Sequence, residues 1–171
     1  TAQALLAGIM LDTRNFIVRT GVRTFEAAAY LRSRSASTIE AKKLFSNDMG
    51  VFHKRNAVID NSHIYNGIFA ISVADFKDKN IRLITSQAAD EMLNVEGIKA
   101  SFVLYEAPGF VNISARSYGE VNVQIIMEML GGGGHQTMSA CQLENASVDE
   151  AIRRLKNAID KYLSETTEVP K

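Results

Sequence analysis

The 171-residue chain has a single cysteine, Cys141, and no excess of either charge. One cysteine excludes an internal disulfide framework and fits a reducing compartment such as the cytoplasm. Its simplest role is that of a small apolar residue buried on a strand. Lys plus Arg equal Asp plus Glu at 19 each, so the formal net charge is zero. That balance argues against bulk electrostatic binding to long nucleic acid, which needs a basic face. It leaves room for a small anion held by a few local donors. No apolar run approaches the ~18 residues of a membrane span, and no signal-peptide pattern is present. Internal repeats and low-complexity tracts are also missing. What is present, 46% hydrophobic residues, suits an ordinary packed core. The length fits one domain, or one small domain plus a piece of another.

The pattern along the chain is one of helices followed by mixed strands and helices. Residues 2–10 read as an apolar helix tail running into Leu11-Asp12-Thr13, with a short extended piece at Ile17 and Val18. Thr24 is a candidate N-cap for a helix over Phe25 to Arg34. Ser37 with Glu40 forms a capping box opening a second helix toward Phe45. Residues 46–62 are polar and mixed and read as a linker with room for a helical turn or more. Ile64 to Val73 reads as one strand, from its branched and aromatic content. Ile81 to Leu93 suits an amphipathic helix. Ser101–Tyr105 and Phe110–Ala115 suggest an antiparallel pair turned by Glu106-Ala-Pro-Gly109. A helix over 121–130, a strand over 138–143 and a last helix opened by Ser147 and Glu150 complete the series. Ile152, Leu155, Ile159 and Tyr162 give that helix one apolar face, and the tail from Ser164 on is polar. The order indicates an α/β fold, with α+β as the other arrangement, from about residue 63 onward.

The most informative run is Gly131-Gly132-Gly133-Gly134-His135-Gln136. Glycine costs the most backbone entropy to order, so packing or helix propensity does not account for four in a row. Glycines permit close approach of backbone N–H groups and φ > 0, and His135 adds a donor able to titrate near neutrality. Together they suggest a cradle for phosphate or another anion. The other reading is a helix C-cap followed by a loop, since the helical pattern ends here. No Gly-Lys-Ser/Thr follows, and no strand precedes the run as a dinucleotide fingerprint requires. The alternating segment Asn112 to Asn122 delivers Ser114, Arg116 and Ser117 to the same turn. The planar fork of Arg116 suits phosphate. Asp12 has two readings as well: a turn-capping aspartate before Thr13, or a hard oxygen ligand for a divalent ion. His53 and His63 stand alone, at a spacing that fits no common zinc motif.

Ser114-Ala-Arg-Ser117, Asn122-Val123 and Gly131 to His135 together resemble the DHH-associated domain of the DHH phosphoesterase superfamily. At the other end, Ala7-Gly-Ile-Met-Leu-Asp-Thr-Arg-Asn-Phe16, with Arg19-Thr-Gly and Arg23-Thr-Phe-Glu-Ala, resembles the last metal-binding motif of the DHH domain itself. The pair is most similar to the catalytic region of membrane-anchored bacterial cyclic-di-AMP phosphodiesterases. The Asp-His-His triplet that names the superfamily is absent. Where many relatives continue after the histidine with Ala-Ala-Gly, this chain has Thr137-Met-Ser-Ala-Cys141.

The resemblance implies a C-terminal fragment. Residues 1–60 would be the helical end of a truncated DHH domain plus linker helices, and 61–171 a mixed-sheet, DHH-associated substrate-binding domain with flanking helices. It implies a phosphodiesterase using two Mn2+ ions to cut cyclic-di-AMP to linear diadenylate, with this fragment alone inactive and not fully loaded with metal. Asp12 would be the metal ligand and catalytic carboxylate. Arg116, Ser117, Asn122, Gly131, Gly132, Gly133, Gly134 and His135 would hold substrate. The partner would be a cyclic or short linear dinucleotide, with no long nucleic acid and no membrane contact by this fragment, and a homodimer is compatible. The fragment would be cytoplasmic and the full-length protein anchored in the bacterial membrane. Two alternatives remain: an oligoribonuclease or 3′-phosphoadenosine phosphate phosphatase of the same superfamily, and a non-catalytic nucleotide-binding module.

Overall fold

The computed structural model describes residues 1–46 and 48–167. Asn47 and the tail residues 168–171 lie outside them. Contacts divide the chain into two units, Thr1–Asp48 and Met49–Lys171.

The first unit holds α1 (Ala2–Asp12), α2 (Val22–Ser33) and α3 (Thr38–Lys43). Leu6, Ala7, Met10, Leu31, Ala36 and Ala41 form its core. Gln3 ties α1 to the start of α3: its side chain donates to Ser37 O at 2.9 Å and accepts from Ser37 N at 2.8 Å. The Ser37 cap is present, with its hydroxyl accepting from Glu40 N at 3.4 Å. Two local expectations change. The helix expected from Phe25 begins at Val22, and Thr24 reaches back to accept from Gly21 N at 3.3 Å rather than capping from outside. Ile17 and Val18 lie in a turn, not an extended piece, because Arg14, Asn15 and Phe16 all take φ > 0.

The second unit begins with α4 (Met49–Asp60), a full helix where the sequence suggested a linker. Val51 and Val58 are its buried residues and join the core formed with α5. A six-stranded sheet follows, in the order β1-β2-β3-β4-β6-β5. The stretch read as one strand is two, β1 (His63–Tyr65) and β2 (Phe69–Ala74), antiparallel. Asn66 and Gly67 turn the chain between them with φ of 49° and 75°, the left-handed pair that a tight hairpin needs. The helix α5 (Ile81–Met92) carries the chain over to β3 (Ala100–Ala107), parallel to β2. β4 (Phe110–Ser117) returns antiparallel to β3, and β6 (Met138–Glu144) pairs with β4. Between β4 and β6 lie the short α6 (Val123–Glu128) and a strand the sequence reading lacks, β5 (Gly133–His135). The last helix, α7 (Val148–Thr167), starts at Ser147, whose hydroxyl accepts from Glu150 N at 3.2 Å. It runs past Ser164, into the stretch the sequence marks as a polar tail.

Strand alternation sorts the sheet into two faces. Phe69, Ile71, Phe102, Leu104, Val111, Ile113, Cys141 and Leu143 face α6 and α7, whose Ile126, Met127, Leu155 and Ile159 complete that core. Ala70, Ala74, Val103 and Tyr105 face α4 and α5. The result is a mixed sheet between two helical layers. Each fully buried Phe, Leu or Ile contributes roughly 1.5–3 kcal/mol relative to exposure. On the α5 side β4 departs from the apolar rule, carrying Asn112, Ser114 and Arg116, all buried.

Candidate functional site

The register places Arg116 opposite Ser101 on one side and Met138 on the other, with Met138 opposite His135. Paired residues on neighbouring strands share a face. Arg116, Met138 and His135 therefore form one row on the α5 side of the sheet. Arg116 and His135 are two strands apart, roughly 10 Å at the usual strand spacing. The next row contains Ser114, Ala140 and Gly133, and the one beyond it Asn112 and Gln142. On β6, Met138, Ala140 and Gln142 are exposed while the alternate residues are buried. The surface is an open ledge with Arg116 at its inner wall, His135 at its outer strand, the exposed Met138 between them and the small Ala140 and Gly133 in the next row.

Arg116 is only 8% exposed. Its Nε lies 3.2 Å from Asp90 Oδ1 on α5, and Nη1 donates to Ala115 O at 2.9 Å. Asn112 Nδ2 lies 3.4 Å from Ser114 Oγ along the same strand. Asp90 is a neighbour of Arg116 that the sequence reading does not name. It lies 26 positions upstream of Arg116, and only the packing of α5 on the sheet brings the two together.

The four glycines divide between three jobs. Gly131 takes φ 80° after α6, and its N–H donates to Glu128 O at 3.0 Å. The N–H of Gly132 donates to Met127 O at 2.8 Å. Both donors close the C-terminal end of α6, so they are not presented to an anion. A Cβ on Gly132 would stand 2.3 Å from both Ala140 O and Cys141 Cβ, and one on Gly134 would stand 2.7 Å from Met138 O and Ser139 Cα. Packing against β6 is thus a reason for two of the four glycines, contrary to the expectation that packing has no part in the run. Gly133 differs: its φ is not positive, and a Cβ there would meet nothing within 4 Å. Its open side lies over the ledge, beside Ala140.

Ser117 and Asn122 build the frame. The Ser117 hydroxyl is fully buried, donates to Val121 O at 2.7 Å and accepts from Gly119 N at 3.3 Å. Asn122 caps α6, accepting from Gln124 N at 3.1 Å, and its own N–H donates to Tyr162 Oη at 3.0 Å. Ser117 N donates to Thr137 O and Val123 N to Gln136 O, each at 3.0 Å. These bonds stitch the 117–123 turn to the segment that follows His135. Their side chains shape the ledge rather than line it.

Asp12 closes α1 in the other unit and is exposed. The turn after it is unusual: Thr13 Oγ1 donates to Ile9 O at 2.6 Å and accepts from Phe16 N at 2.9 Å, while three successive non-glycine residues take φ > 0. Left-handed backbone costs roughly 1–2 kcal/mol per ordinary residue. Among the described residues no group of three or more His, Cys, Asp or Glu could hold a metal ion. One carboxylate is a single ligand, so these residues do not by themselves make a metal centre. A cavity of about 980 Å³ lies elsewhere, lined by Ala74, Phe76, Tyr105 and Pro108 among others. It sits at the far end of β3, roughly 20 Å along the strand from Arg116 at the usual rise per residue. It gathers none of the expected site residues, and size alone does not outweigh that. No helix among the described residues is long and apolar enough to cross a membrane.

Over 162 residues the chain is 46% identical to the cyclic-di-AMP phosphodiesterase PdeA of Listeria monocytogenes, an alignment covering 94% of this chain and 25% of that protein. It is likewise 46% identical, over 164 residues, to the cyclic-di-AMP phosphodiesterase GdpP of Bacillus subtilis, with the same coverages. The chain thus spans about a quarter of the length of these curated relatives. Its fold matches that of an exopolyphosphatase-related protein from Bacteroides fragilis with a TM-score of 0.84 at 20% identity, covering 98% of this chain and 52% of that one. Residues 66–165, well over half the chain and including every ledge residue, match the DHHA1 domain model, so the chain belongs to the DHHA1 domain family.

Proposed function

We propose that this chain supplies the substrate-holding part of a metal-dependent phosphodiesterase that hydrolyses cyclic-di-AMP to linear diadenylate. The observation that carries the reading is the ledge, where a held arginine and an exposed histidine share one register row beside a glycine with open space above it. The likeness to two cyclic-di-AMP phosphodiesterases over nearly the whole chain supports the substrate.

In this reading Arg116 donates to a phosphate oxygen of the dinucleotide, since its fork geometry matches phosphate. His135 supplies a second donor about two strands away across Met138, and Gly133 leaves room for the ligand in the adjacent row. Ser117, Asn122, Gly131, Gly132 and Gly134 keep that surface in shape. Contacts of this kind, remote from the reacting bond, orient the substrate and so lower the barrier at the reacting centre. A pair of divalent ions, manganese being the expected metal, would supply an activated water and stabilise the leaving oxygen. Asp12 would contribute one ligand. Its strained turn supports that role, because backbone strain concentrates at functional sites. We assign residues 61–171 to the substrate-binding domain and 1–60 to the end of the catalytic domain with linker helices, within a protein anchored in the bacterial membrane.

The test is calorimetric titration of the 171-residue chain with cyclic-di-AMP, with linear diadenylate and 3′-phosphoadenosine phosphate as competitors. Manganese-dependent hydrolysis by the protein that carries this chain is the second readout. Arg116→Ala and His135→Ala should each weaken binding. Preference for either competitor would place the protein with the oligoribonuclease or phosphatase branch. Absence of both binding and hydrolysis would remove the enzymatic reading.

A further inference from the structure

We propose that Asp90 is a positioning residue for Arg116, an acidic second point of the substrate subsite contributed by α5. The inference rests on the reading that Arg116 touches the substrate. Three observations carry it. First, the guanidinium is held at two separate atoms, Nε by Asp90 Oδ1 at 3.2 Å and Nη1 by Ala115 O at 2.9 Å. Arg side chains have many rotamers, and a fork fixed in advance loses less freedom when it takes up a ligand. Second, Asp90 is itself held on both sides along the helix. Ser101 Oγ donates to the carbonyl of the preceding residue, Ala89, at 2.6 Å. Tyr118 Oη, just past β4, donates to Asn94 Oδ1 at 3.0 Å. The helix segment carrying the carboxylate is thereby tied to β3 and to the end of β4, the strand that bears Arg116.

Third, Asp90 stands in the last turn of α5, which has no basic residue there. An acidic group at a helix C-terminus opposes the macrodipole. Helix stability therefore gives no reason for a carboxylate at this point, and the arginine it faces does. The Asp90 side chain is 41% exposed while that of Arg116 is 10% exposed. The Asp90 side chain thus stays partly in solvent while its Oδ1 is buried against a cation that is itself enclosed.

A positioning role and a simple charge-balancing role predict opposite outcomes for two conservative variants. Asp90→Asn keeps an acceptor in place and removes the charge. Asp90→Glu keeps the charge and moves it one methylene along. The Nε–Oδ1 contact is an ion pair rather than a hydrogen bond. If Asp90 positions Arg116, the placement of its side chain matters more than its charge. Asp90→Asn should then bind cyclic-di-AMP within about threefold of the parent chain, and Asp90→Glu, whose longer arm displaces the group it holds, about tenfold more weakly. Asp90→Ala should also bind about tenfold more weakly and add nothing to Arg116→Ala in a double-mutant cycle on Kd. The Nε–H resonance of Arg116 should survive in Asp90→Asn and shift or exchange away in Asp90→Glu. The reverse order of the two conservative variants would overturn the inference, as would additivity in the cycle or tighter binding by Asp90→Ala. If Arg116→Ala binds like the parent, the substrate reading of the ledge fails, and this inference fails with it. If Arg116→Ala weakens binding and no Asp90 variant does, the inference alone fails.

Discussion

Substituting alanine at Gly132, Gly133 and Gly134 in turn separates fold from function within one motif. At Gly132 the added methyl would stand 2.3 Å from Ala140 O and from Cys141 Cβ. Neither neighbour is a flexible side-chain tip, so β5 must move off β6. Overpacking of this sort costs about 1–3 kcal/mol. At Gly134 the methyl meets Met138 O and Ser139 Cα at 2.7 Å, and the residue has φ 148°, so backbone conformation adds about 1–2 kcal/mol to the clash. At Gly133 neither penalty applies. Alanine there should be neutral or stabilising by about 0.4–1 kcal/mol, through the reduced freedom of the unfolded chain. Urea unfolding followed by far-UV circular dichroism reads all three. A change of ~1 kcal/mol corresponds to a shift of ~2–4 °C in thermal midpoint for a chain of this size. The functional half of the prediction is that Gly133→Ala, the variant that folds best, narrows the ledge and weakens cyclic-di-AMP binding. Destabilisation by Gly133→Ala equal to that at Gly132 would refute the division of labour, as would a neutral Gly132→Ala.

Further expectations concern single groups. Burial pushes the Cys141 thiol up to about 12, so a thiol reagent at pH 8 should react with the folded chain only as fast as it opens, and rapidly once it is unfolded in urea. Hydrogen bonds from Arg154 and then Arg153 hold the Glu150 carboxyl below its ordinary range, and Lys54 does the same for Asp78. A depressed folded value means that the contribution to stability is full above the unfolded carboxylate value and is lost as pH falls through the folded one. Acid titration of stability should therefore flatten in Glu150→Gln, by a small amount because the group is exposed. Ser117→Ala should destabilise by about 1–3 kcal/mol in urea unfolding, the cost of leaving buried partners unsatisfied.

Some of the fold was legible from local chemistry alone. The Ser37 and Ser147 caps, the span of α5 and the turn at Gly109 each follow from residues within a few positions of one another, and each is present. The hairpin at Asn66-Gly67 was equally local, yet the branched and aromatic run on both sides masks it; the dipeptide is itself the stronger signal. The helix α4 lacks a local signature because its polar composition hides two buried residues, Val51 and Val58, whose partners lie on α5 and the sheet. The strand β5 could not be read at all. Glycines have weak strand propensity, and only pairing with β6 makes Gly133–His135 extended.

The same distinction governs the site. Arg116 and His135 stand out in the sequence by residue type, but their relation is set by register: a slip of one residue between β4 and β6 would send one of them to the opposite face. Asp90 carries no motif, because its part depends on α5 crossing from β2 to β3 and returning its last turn beside β4. The four glycines, read together, looked like one device for approaching an anion. In the fold, Gly131 and Gly132 close α6, Gly132 and Gly134 admit β6, and of the four only Gly133 combines open space with a backbone that is not left-handed and no part in closing α6. A motif is therefore not a site. The part of the motif that the fold leaves unspent is Gly133 and His135, on the same face of the sheet as Arg116, and the proposed substrate site rests on that part.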